Sequence, residues 1–200
     1  MMSGFDFVSG HFGYDFARHI MRDRYSIVFL RNPYERVLSM YYFCRNQPTE
    51  NFEIYKIAKR LTILGFLEAA SSDPWVRKNI YNNQVWQLAH GYQHLDERDI
   101  FSFSDSELLE MAEKNIEEFN AVGLTECFAE DANTIFERLR LPPFASWRFV
   151  NATPNRPIAS AHSGKVRARL AKITELDWEL YRHALELRHF AGGVELRAAR

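Results

Sequence analysis

Short, nearly continuous apolar runs and longer helical stripes follow one another along this chain. Phe5, Phe7 and Ser9 alternate with Asp6, Val8 and Gly10, which predicts a short strand leading into a glycine-bounded turn, GHFG. Tyr25 to Leu30 (YSIVFL) predicts a strand covered on both faces, as in parallel sheets. From Pro33 to Phe43 the spacing turns helical, with Val37, Leu38, Tyr41 and Tyr42 on one stripe.

Residues 50–119 read as mostly helical. Ile54, Ile57, Ala58 and Leu61 suit one helix, and Ile63, Leu64, Phe66 and Leu67 a second. NIYNNQVWQLAHG predicts a helix ended by Gly91, and SELLEMAEKNIEEF a helix just ahead of a strand, NAVGL. Thr125 is the expected cap of the next helix, which stops at the LPP of residues 141–143. Residues 144–164 read as an irregular loop, either functional or mobile. Thr174 and Asp177 predict a capping box for a last helix running to about Phe190 and stopped by Gly192 and Gly193.

Strands interleaved with helices predict a three-layer α/β fold with a parallel sheet and a helical insertion, as one domain over residues 1–200. The 46% hydrophobic content suffices for one substantial core at this length. A net charge of −1 argues against a broad nucleic-acid surface but leaves room for a local basic pocket. Cys44 and Cys127 lack CxxC spacing, so two free thiols are expected rather than a disulfide framework or zinc site. The histidines show no metal-ligand spacing. No apolar run reaches the roughly 18 residues of a membrane span, and no secretory signal opens the chain; a cytoplasmic protein is expected.

The candidate chemistry sits in IVFLRNPYERVLS. Asn32 is a good N-cap, Pro33 fits the first helical position, and Glu35 is placed to complete a capping box. A strand end thus meets a helix start, where α/β proteins bind anions, and Arg31 projects into that edge. Ser39 lies two turns along, on the face shared by Asn32 and Arg36. Two readings stand: a guanidinium and a hydroxyl gripping a phosphate, or an arginine paired with a carboxylate beside an incidental serine. His11, expected at the same sheet edge, is either a base for an acceptor hydroxyl or a residue that merely caps a turn.

FVSGHFGYDFA followed by YSIVFLRNPYERVLSMYYFCR resembles the sulfotransferase superfamily, most of all the carbohydrate branch with the heparan sulfate and uronyl 2-O-sulfotransferases. The resemblance implies a P-loop-NTPase-like fold and 3′-phosphoadenosine 5′-phosphosulfate (PAPS) as co-substrate, with no metal. It places Arg31 and Ser39 on the nucleotide 3′-phosphate and makes His11 the catalytic base. Downstream, NNQVWQLAHG, NAVGLTE and TELDWELYRHAL are also similar to family segments. VNATPNRP falls where relatives carry a nucleotide-covering loop, which makes Asn151, Thr153 and Arg156 candidates for cofactor binding. Asn83 and Gln84, in the insertion, are candidates for contact with a carbohydrate or glycoconjugate acceptor.

The family pattern also has a first strand and a K-x-G-[TS]-[TS] phosphate loop before the GH segment, where this sequence has only Met1 to Gly4. The expectation is a chain truncated relative to the family, with sulfuryl transfer much impaired. The competing readings are a non-catalytic paralogue that binds nucleotide, glycan or a protein, and an unrelated kinase-like fragment without a Walker loop. Family members with an N-terminal anchor are membrane-associated.

Overall fold

The computed structural model describes residues 7–91, 100–143, 153 and 156–190. Helix α1 (Tyr14–Met21) leads to strand β1 (Ile27–Leu30) and helix α2 (Pro33–Arg45). Four short helices follow: α3 (Glu53–Arg60), α4 (Ile63–Ala69), α5 (Pro74–Ile80) and α6 (Asn83–Ala89). Helix α7 (Asp105–Ile116), strand β2 (Ala121–Leu124) and helix α8 (Phe128–Arg138) come next, then α9 (Gly164–Ile173) and α10 (Glu175–Phe190).

Among the described residues the sheet has two strands, paired in parallel from Ile27↔Ala121 to Leu30↔Leu124. The result is a helix-rich α/β chain with a small parallel sheet. Parallel pairing requires a crossover, and α2 to α7 supply it. Ser26 and Asn120 lock the strand entrance: the Asn120 side-chain Oδ1 accepts the Ser26 amide (2.8 Å) and hydroxyl (2.9 Å). Gly123 faces the Phe29 ring, and a Cβ there would collide with it. At the far end Asp131 accepts the Leu124 amide (2.7 Å) and pairs with Arg188 (2.7 Å).

Two apolar clusters flank the β1–α2 junction. Leu30, Val85, Leu108, Ile116, Leu124 and Leu180 belong to the one that joins the sheet to α6, α7 and α10. Val37, Leu38, Ile57, Phe66, Val76 and Leu170 belong to the other, where α2 packs with α3, α4, α5 and α9. The chain therefore passes from one core to the other through residues 30–37, and the Arg31 segment lies at the seam.

Several local expectations are corrected. The strand expected near Phe5–Ser9 begins outside the described residues, and residues 7–9 carry no strand. Glu35 does not close a capping box; Asn32 caps α2 alone, accepting the Tyr34 (3.1 Å) and Glu35 (3.2 Å) amides. The Thr125 hydroxyl donates to the Leu30 carbonyl (3.0 Å) instead of capping α8. His90, not Gly91, is the C-cap of α6. Residues 159–161 form a 3-10 turn, and α9 begins at Gly164 within the supposed loop. Thr174 bonds back to Leu170, so the capping of α10 comes from Asn82. The Gly192–Gly193 stop lies outside the described residues. Both cysteines are free. No helix among the described residues is long and apolar enough to cross a membrane.

Candidate active site

The sheet ladder ends at the Leu30–Leu124 pair, so the next peptide groups need partners from elsewhere. The Thr125 hydroxyl takes the Leu30 carbonyl (3.0 Å). The Gln84 amide takes both groups of Arg31: its oxygen accepts the Arg31 amide (2.8 Å), and its nitrogen donates to the Arg31 carbonyl (3.0 Å). Glu126 accepts the Asn32 amide (2.8 Å) and the Tyr181 hydroxyl (3.2 Å). The backbone around Arg31 is thereby held by side chains from α6 and from the turn after β2.

Its side chain is in a different condition. Arg31 is half-buried, and among the described residues its guanidinium makes no hydrogen bond or ion pair. Burial first, and the Arg156 charge second, push its pKa below the ordinary guanidinium value, while Glu126 and Glu35 pull the other way. Arg156 is anchored by Glu35, whose carboxylate pairs with the guanidinium (2.7 Å) and accepts the Ala159 amide (2.8 Å). Glu35 thus ties residues 156–159 to the first turn of α2. The first-turn amides are themselves occupied by Asn32, so any anion here is gripped by arginine side chains rather than by the helix end.

Ser39 is half-buried on α2. His11 lies on an exposed bend just ahead of α1, and α1 is tied to the end of α6 by the Asp15 amide on the His90 carbonyl (2.7 Å). Thr153 is half-buried, and Asn151 lies outside the described residues. Asn83 and Gln84 are both buried. Asn83 accepts from Arg36 and donates to the Lys78 carbonyl (2.6 Å), so both amides are committed to the interior.

Behind α6 stands a buried carboxylate. Asp177 accepts the Val85 amide (2.9 Å) and so caps α6 from the neighbouring helix. Burial raises its pKa to about 6, against the opposing pull of the Val85 hydrogen bond and the Arg36 charge. Glu126, Glu35 and Asp177 were not singled out by sequence as parts of this site. For Glu126 a signal existed: it follows an apolar strand at the same edge that Arg31 leaves.

A half-buried cation lies beside a second arginine, on a backbone held by Gln84, Thr125 and Glu126. The chain belongs to the Sulfotransferase family, whose model matches residues 9–184, a stretch that holds His11, Arg31, Ser39 and Arg156. The chemistry of that family is sulfuryl transfer, and PAPS is its general donor. No curated protein and no solved structure matches the chain significantly.

Proposed function

We propose that residues 1–200 belong to one sulfotransferase domain, of three-layer, P-loop-NTPase-like type, in a protein that moves a sulfuryl group from PAPS to a carbohydrate hydroxyl. The observation that carries this reading is the Arg31 guanidinium: half-buried, beside Arg156, and without a bonded counterion among the described residues. Taking a cation from water without a partner is costly, and a phosphate dianion offsets that cost.

Arg31 and Ser39 hold the 3′-phosphate, and Arg156 adds a second positive charge, with Asn151 and Thr153 close to it in sequence. His11 takes the proton of the acceptor hydroxyl. As the acceptor oxygen bonds to sulfur, the bond from sulfur to the bridging phosphosulfate oxygen breaks, and adenosine 3′,5′-bisphosphate leaves with the electron pair. Positioning and charge stabilisation do most of the work, as in phosphoryl transfer. Asn83 and Gln84 serve this arrangement from behind the strand end.

Incubation with sulfur-labelled PAPS and a panel of polysaccharides tests the reading. Label on a saccharide hydroxyl is the expected result. Nucleotide binding with no transfer to any carbohydrate would overturn it in favour of a binding protein.

A further inference from the structure

We infer that Gln84 is a positioning residue: its side chain acts as a substitute strand that fixes the peptide on both sides of Arg31 and so aims the guanidinium at the anion. The inference rests on the anion-site reading above. Its starting point is the paired bond of the Gln84 amide with the Arg31 N–H (2.8 Å) and C=O (3.0 Å). A neighbouring strand would offer one donor and one acceptor to the same residue, and the carboxamide offers both from one side chain.

Three features make this more than a packing contact. First, nothing among the described residues bonds the Arg31 guanidinium, so the direction of the side chain is set from its backbone end. Second, Gln84 is buried, with 5% of its surface exposed, so water does not compete for the two bonds. Third, Gln84 sits on a helix whose start is itself fixed. Asp177 caps Val85, Asn82 caps Leu176 in return, and the Asn82 amide donates to the Ile173 carbonyl (2.9 Å). A displacement of Gln84 would therefore move Arg31 without touching the ligand.

The test reads the affinity of adenosine 3′,5′-bisphosphate by calorimetry. Gln84→Met is expected to weaken binding about tenfold in the wild-type background, and less than about threefold in an Arg31→Lys background, because residues acting through one another are not additive. Equal loss in both backgrounds, or no loss, would overturn the inference. Gln84→Glu supplies an independent check should the methionine variant fold poorly. An ionised carboxylate cannot donate to the Arg31 carbonyl, whereas the protonated acid replaces the amide donor and acceptor. Its affinity relative to wild type should thus be reduced at pH 8 and recover toward pH 5.5. A pH-independent ratio would overturn the inference. Absence of wild-type binding would overturn the anion-site reading and this inference with it, which separates the two failures.

Discussion

Asn82 and Asp177 cap each other's helices. The Asn82 side-chain Oδ1 accepts the Leu176 (3.1 Å) and Asp177 (3.4 Å) amides at the start of α10, and the Asp177 carboxylate accepts the Val85 amide (2.9 Å) at the start of α6. Asn82 reaches this position in the left-handed region, φ 40°, which asparagine tolerates better than most residues. The clasp holds together the two helices that stand behind the Arg31 backbone.

The clasp contains a proton switch in stability. The folded-state pKa of Asp177 is raised to about 6, so the folded protein holds this proton more tightly than the unfolded chain. Its favourable contribution is full below about pH 4 and is lost as pH rises through about 6, a change of about 3 kcal/mol. Asp177→Asn keeps an acceptor for Val85 and removes the charge. Thermal unfolding across pH 4–8 should show the variant gaining on wild type as pH rises.

Glu35 should act as a tether. Glu35→Ala removes the ion pair to Arg156 and the acceptor for the Ala159 amide. Charge-assisted bonds of this kind contribute about 1.5–3 kcal/mol. Hydrogen exchange should show the Ala159 amide opening at least about tenfold faster, with α2 interior amides unchanged. Unchanged Ala159 protection would contradict the tether.

Much of this architecture was legible in the sequence, and the losses have physical causes. β1, α2, α7, β2 and the end of α10 follow the hydrophobic periods of the chain, because burial against the sheet and the second core imposes those periods. α9 was missed because GKVRARLAKI shows only Val166, Leu170 and Ile173 to the core among many charges. Capping boxes at Glu35 and Asp177 fitted local spacing, yet both carboxylates found better partners across the fold. Local sequence does not encode that competition. The place of Arg31 just past a strand end was readable. Its support by Gln84, 53 positions away, was not.

His11 should separate chemistry from binding. His11→Ala is expected to lower transfer about a hundredfold or more, the scale of general-base catalysis, and to leave adenosine 3′,5′-bisphosphate affinity unchanged. Turnover with labelled PAPS beside calorimetry on the same variant makes the comparison. Retained turnover would remove His11 as the base.

Calorimetry with adenosine 3′,5′-bisphosphate at low salt decides whether Arg31 grips a nucleotide phosphate. Wild type should bind, and Arg31→Ala should lose at least about 2 kcal/mol, roughly thirtyfold in affinity, with thermal stability unchanged or raised because the substitution removes a half-buried charge that has no bonded partner among the described residues. No wild-type binding, or an Arg31→Ala variant that binds as well as wild type, would rule out a phosphate grip by Arg31.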